Sequence, residues 1–266
     1  MNWLKTFPLY GVILFAASPL MAFSSMSYPQ QNDGISPQQI SLQFPTVRDR
    51  GAPITTGGGG TRGPGSGCLQ TKEGELSVNA LTPNYSNIAT TASTQPVFYY
   101  YLPATAAKFG ELVITDESDQ PVYQTIFNLP TQAGIIRLAV SPTKPLSADK
   151  FYQWSFKIIC NPKQRSKDIV LEGTLEYQPL GGQEVSSLAH KDPLEKAKFY
   201  AQKGIWLDTL DQVAQVRAQS PQDWTELLGS VGLETISAQP LVECCQSGQA
   251  ASSALSNHSQ MPSPVN

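Results

Sequence analysis

Histidine is nearly missing from this sequence: His190 and His258 are the only two in 266 residues. A Ser-His-Asp or Cys-His relay needs a histidine that a framework holds in place. His190 falls in a connecting stretch before a helix and His258 in a polar tail, so both read as solvent-exposed. Spacings of the Cys-x-x-Cys or His-x-x-x-His kind are absent as well, which removes the usual signature of a zinc site. Charge is sparse, at 15% Asp, Glu, Lys and Arg with a net of −3, and leaves no electrostatic footprint for nucleic acid or an anionic membrane. No catalytic, cofactor-binding or metal-binding residue is singled out, and the expectation is a protein that is not an enzyme and carries no cofactor.

Long apolar runs are absent beyond the start of the chain. Residues 1–24 carry Lys5 followed by an apolar run from Phe7 to Leu20, broken by Pro8 and Pro19, with Ala22-Phe23-Ser24 as a small-residue cleavage region. This reads as a signal peptide, with an uncleaved anchor as the other reading, and implies a periplasmic or extracellular protein with no integral span after cleavage. Residues 25–67 are rich in Gln, Ser, Pro and Gly and read as a disordered linker; residues 246–266 read as a disordered tail.

Cysteine is scarce but even in number: Cys68, Cys160, Cys244 and Cys245. In an exported chain this favours two disulfides. Adjacent Cα atoms lie about 3.8 Å apart, below the usual bridge range of about 4.4–6.8 Å, so a Cys244–Cys245 bond would be strained. The expectation is therefore that Cys244 and Cys245 reach Cys68 and Cys160. The rival is a Cys68–Cys160 bridge with a vicinal pair, suited to redox chemistry or metal capture.

Between linker and tail, residues 68–178 read as successive strands with period-two alternation. The clearest is "FYQWSFKIIC", with Tyr152, Trp154, Phe156, Ile158 and Cys160 on one face. "IVLEGTLEY" alternates equally well. Short turns between such strands predict an antiparallel β-sandwich. Leu146, six residues before Tyr152, resembles the tyrosine corner of fibronectin type III domains, although the Pro and Thr of that pattern are missing. The fold class expected is mainly β, an immunoglobulin/fibronectin-III-like sandwich. Lys163, Arg165 and Lys167 read as a solvated loop or a small anion site, and Asp116, Glu117 and Asp119 as a solvated hairpin turn in preference to a calcium loop, since the Gly and closing Glu of an EF-hand are missing.

Residues 190–245 switch to helical spacing and predict an appendage of about three short helices packed on the sandwich. Asp192, Pro193, Glu195 and Gly204 form a capping box with a glycine stop. Trp206, Leu210, Val213 and Val216 mark a second helix; Trp224, Leu227, Leu228 and Val231 mark a third, ended by Gly232. The strand "PVFYYYLP" puts aromatic rings on both faces: Tyr99 and Tyr101 one way, Phe98 and Tyr100 the other. The reading preferred is core, with the helices covering the second face; the alternative is an aromatic platform at Phe98, Tyr99, Tyr100 and Tyr101 that binds a ligand.

"RGAP" and the Gly-rich run before Cys68, "PVFYYYLP", "ELVITDESDQPVYQTIFNLP", "YQWSFKIICNPKQRSKDIVLEGTL", "GIWLDTL" and the "ECC" ending together resemble the cyanobacterial family called domain of unknown function 928. The resemblance covers about residues 50–245 and implies an exported cyanobacterial protein, with no activity or binding residue to carry over. The function expected is a non-catalytic protein-interaction module of the periplasm or cell surface. A glycan- or envelope-polysaccharide-binding module using the aromatic strand is the alternative, and an enzyme the third class.

Overall fold

A computed structural model describes residues 42–45, 68–70, 75–86, 88–148 and 150–245. The expected leader, most of the expected linker and the tail lie outside the described residues. Eight strands run β1 (Asn79–Ala80), β2 (Ile88–Thr91), β3 (Val97–Leu102), β4 (Phe109–Thr115), β5 (Pro121–Asn128), β6 (Gly134–Ala139), β7 (Phe151–Ile159) and β8 (Ile169–Tyr177). Five helices follow: α1 (Gly182–Leu188), α2 (Pro193–Gln202), α3 (Trp206–Gln215), α4 (Pro221–Ser230) and α5 (Glu234–Ser237). The strands form a three-stranded sheet, β1-β3-β6, and a five-stranded sheet, β2-β8-β7-β4-β5.

Alternation in β3 and β7 brings the two sheets together. Tyr100 stacks on Phe156 with centroids 4.1 Å apart, and Phe98 and Tyr100 each lie 5.9 Å from Trp154. Gly173, opposite Trp154 in the β7–β8 register, leaves room for the indole. Burying these rings contributes roughly 2–3 kcal/mol each. Ahead of β7, Leu146 is buried and the Ser147 N–H donates to Tyr152 Oη at 2.8 Å.

Three expectations change. The sheet is mixed, because β2 pairs parallel to β8, which a four-residue strand entered from a loop does without a hairpin. The helices number five among the described residues, α1 and α5 being too short to show helical periodicity in sequence. Within the segment read as linker, Leu42 and Phe44 are buried: Phe44 meets the Trp206 ring edge-on at 5.0 Å, and its N–H donates to Ser230 Oγ at 3.0 Å. Two large apolar residues among polar ones can anchor a strap that composition alone reads as free.

The helices terminate as their sequence dictates. Asp192 Oδ1 accepts from the Glu195 N–H at 2.9 Å, and Glu195 Oε2 accepts from the Asp192 N–H in return. Gly204 and Gly232 take φ of 71° and 78°, the left-handed turn that ends α2 and α4.

Polar bonds then lock the helices to β2. Thr90 Oγ1 donates to the Gly204 carbonyl and accepts from the Trp206 N–H, both at 2.7 Å. Asp208 Oδ2 accepts from Thr91 Oγ1 at 2.8 Å and from the Ala92 N–H at 3.0 Å. Burial pushes the Asp208 carboxyl above its ordinary range despite these bonds, and the nearby Asp211 adds to the rise. A carboxyl raised in the folded state favours the protonated native form, so its contribution is full below the unfolded value and is lost as pH rises through the folded one. We predict that Asp208→Asn, which keeps one acceptor oxygen, removes that loss. Urea unfolding at several pH values should show wild-type stability declining relative to the variant across this window; parallel curves would contradict the assignment.

Candidate functional site

The aromatic strand is closed on both faces. Phe98, Tyr99, Tyr100 and Tyr101 are 1%, 3%, 0% and 5% exposed. Phe98 and Tyr100 fill the space between the sheets, and Tyr99 turns to the helices, where its hydroxyl donates to Asp211 Oδ1 at 2.7 Å. None of the four rings is exposed as a platform, although Tyr99 is among the residues that line the cleft beside β6. The covering helix is α3, in agreement with the core reading.

What Tyr99 does supply is one member of a polar cluster. Arg137 sits directly across from it in the β3–β6 register. Its Nε donates to Asp211 Oδ1 at 2.8 Å and its Nη2 to Oδ2 at 3.3 Å, while Gln215 Nε2 donates to Oδ2 at 3.2 Å. Burial, with the Asp211 carboxylate beside it, pushes the Tyr99 phenol above its ordinary value. The Arg137 guanidinium rises too, chiefly through its bond to Asp211. One aspartate thus gathers a strand pair and a helix, and the Arg137 side chain remains 50% exposed.

That exposed half borders a cleft of about 730 Å³, lined also by Asn128, Gln215, Leu241, Glu243 and the two terminal cysteines. The chain reaches it by adding Pro240–Val242 alongside β6. The Ile135 N–H donates to the Pro240 carbonyl at 2.7 Å, and the Val242 N–H to the Ile135 carbonyl at 2.9 Å. A second cleft, about 870 Å³, lies beside Leu42–Pro45 and the α2 and α4 surfaces.

The cysteines pair otherwise than expected. Cys68 bonds Cys160, with Cα atoms 5.3 Å apart, and Cys244 bonds Cys245. Covalent strain argues against adjacent cysteines, but the ladder decides. Cys68 is fixed beside Thr105 and Ala106, near the start of β4, whose Phe109 pairs with Ile159. Cys244 and Cys245 are instead carried along β6 by Pro240–Val242 to the end of β5, where Cys244 Sγ meets the Asn128 carbonyl, with Phe109 between Asn128 and Ile159.

The remaining candidates have local roles. Lys163, Arg165 and Lys167 are exposed, as a solvated loop requires, and Arg165 is also paired with the buried Glu111 and with Asp168. Burial alone would raise the Glu111 carboxyl, but Arg165, Gln124 and Lys157 outweigh it and hold it below the usual range. Asp116 Oδ1 accepts from the Ser118 and Gln120 N–H groups, making the acidic stretch a turn. His190 is exposed, and His258 lies outside the described residues. Among the described residues there is no group of three His, Cys, Asp or Glu side chains able to hold a metal, and no helix long and apolar enough to cross a membrane.

Sequence reasoning passed over Arg137, Asp208 and Asp211. Arg137 had a signal, being the one charge in the apolar strand "GIIRLAV". The two aspartates lie off the apolar stripe of α3 and read as solvated by default.

Neither the curated proteins nor the solved structures offer a match to this chain. The family described as Domain of Unknown Function (DUF928) matches residues 57–241, most of the chain, and the protein belongs to that family.

Proposed function

We propose that this chain is a non-catalytic binding module of the cell envelope, and that the cleft beside β6 takes a neutral sugar unit of an envelope glycan. The observation that carries this is the half-exposed Arg137, held by Asp211 at the side of an open cleft of about 730 Å³. That volume is of small-ligand size. Asp211 neutralises Arg137 and Glu243 adds a negative charge, which disfavours an anionic ligand. The guanidinium and the amides of Asn128 and Gln215 are suited to hydroxyl groups, and Leu241, 40% exposed, supplies apolar surface for a sugar's C–H face. Asp211 is engaged by Tyr99, Arg137 and Gln215, which supports a binding role over a catalytic one. Export by the leader and an immunoglobulin-like relation of the two sheets belong to the same proposal; the Ser147–Tyr152 corner supports the latter.

The test is retention of the mature protein on envelope polysaccharide, with competition by neutral oligosaccharides. Arg137→Ala should weaken retention by about tenfold, equivalent to about 1.4 kcal/mol. Phe151→Ala, at an exposed ring away from the cleft, should change nothing. Equal retention of wild type and Arg137→Ala would overturn the assignment.

A further inference from the structure

We propose that Cys244–Cys245 is a thiol–disulfide exchange site, reduced and re-formed by a low-molecular-weight thiol while the fold stays intact. This rests on where the cysteines lie and is independent of the ligand assigned to the cleft.

The two bridges differ in what they do for the chain. A disulfide stabilises largely by restricting the unfolded ensemble, and the effect grows with the loop closed. Cys68–Cys160 spans 92 residues; Cys244–Cys245 joins neighbours and closes no loop beyond their own peptide unit. The vicinal bridge therefore does nothing for global stability by that route.

Access differs through Cys68 and the cleft, since Cys160 is half-buried like the vicinal pair. Cys68 is buried, and its carbonyl accepts from the Ala106 N–H and from Thr105 Oγ1. Cys244 and Cys245 are half-buried and line the open cleft, where a small thiol can reach a sulfur. The bonds that dock this segment on β6 stop at Val242 among the described residues, so opening the bridge leaves Pro240–Val242 in place.

The reduced state also has a partner waiting. Cys244 Sγ lies 3.4 Å from the Asn128 carbonyl oxygen. In the disulfide that sulfur has no proton to give; in the dithiol its S–H donates to the carbonyl.

The chemistry balances with two equivalents of thiol. A thiolate attacks one sulfur of the bridge, forming a mixed disulfide and releasing the other cysteine as a thiolate, which takes up a proton. A second thiolate attacks the outer sulfur of the mixed disulfide, releasing the second cysteine and a symmetric disulfide. The two thiol molecules are oxidised and the bridge is reduced to two thiols. The reverse sequence, driven by the symmetric disulfide, restores it.

The experiment exposes the oxidised mature chain, without denaturant, to graded reduced glutathione. Acid quenching, alkylation and peptide mass spectrometry then read each cysteine pair separately. Cys244 and Cys245 are expected to label at least about tenfold faster than Cys68 and Cys160, with the circular dichroism spectrum unchanged at that point and oxidised glutathione reversing the labelling. In Cys245→Ser, where Cys244 is a free thiol, oxidised glutathione should convert Cys244 to a stable mixed disulfide and release one reduced glutathione. Two bridges that open in step, a vicinal bridge that resists until the chain unfolds, or a Cys244 in Cys245→Ser that takes up no glutathione would each overturn the proposal.

Discussion

Trp206→Ala is expected to cost about 4 kcal/mol or more and to release the helices from the sheets before the sheets themselves unfold. Large-to-small changes of a buried tryptophan cost about 3–5 kcal/mol through lost contact and the residual cavity. Trp206 is fully buried, and its Nε1–H donates to the Leu81 carbonyl at 2.6 Å, leaving that buried carbonyl without this donor when the ring is gone. Its ring also carries the edge of Phe44, so the strap at Leu42–Pro45 should loosen in the same step. Trp206→Phe separates the two contributions: it keeps most of the apolar contact, loses the Nε1–H bond, and should cost about 1–3 kcal/mol. Urea unfolding followed by far-ultraviolet circular dichroism and by tryptophan fluorescence would check this. Wild type should give coincident transitions and Trp206→Ala should split them. A single transition shifted by less than about 1 kcal/mol would mean that the helices are held mainly elsewhere.

That dependence on one residue explains what could be read in advance. Strands β3, β4, β5, β6, β7 and β8 carry enough residues for alternation to declare itself, and α2 carries its own start and stop signals. β2 has four residues, all buried, and no alternation to read; its place is set by a parallel partner about 86 residues later in sequence (Ile88 opposite Thr174) and by hydroxyl bonds to α3. The burial of the aromatic strand was legible because a face of large apolar residues must be covered and the helices had leucines and tryptophans to bury. The cleft was not legible. Tyr99, Arg137 and Asp211 are separated by tens of residues, and each has an ordinary local reading: strand core, a strand's lone charge, a helix's polar side. Only the register of β3 on β6, with α3 laid across it, turns those three readings into a cluster.

The Cys68–Cys160 bridge should matter more for stability than any single polar contact in the protein. Its sequence separation of 92 gives about 4–5 kcal/mol in the chain-entropy account, a large share of the roughly 5–15 kcal/mol that typical domains possess. Cys68→Ser with Cys160→Ser is expected to lose about that much. Most of the loss should arise in the unfolded state, because the native position of Cys68 is also fixed by the bonds its carbonyl receives from Ala106 and Thr105. The unfolded chain then expands and exposes more surface, so the denaturant slope should rise along with the fall in midpoint. Cys244→Ser with Cys245→Ser should move neither quantity by more than about 0.5 kcal/mol equivalent, since no loop is released. The contrast between the two pairs is the decisive reading. A vicinal pair as costly to remove as the long-range one would mean that stabilisation here comes from local packing around sulfur, and that chain length between the cysteines is irrelevant.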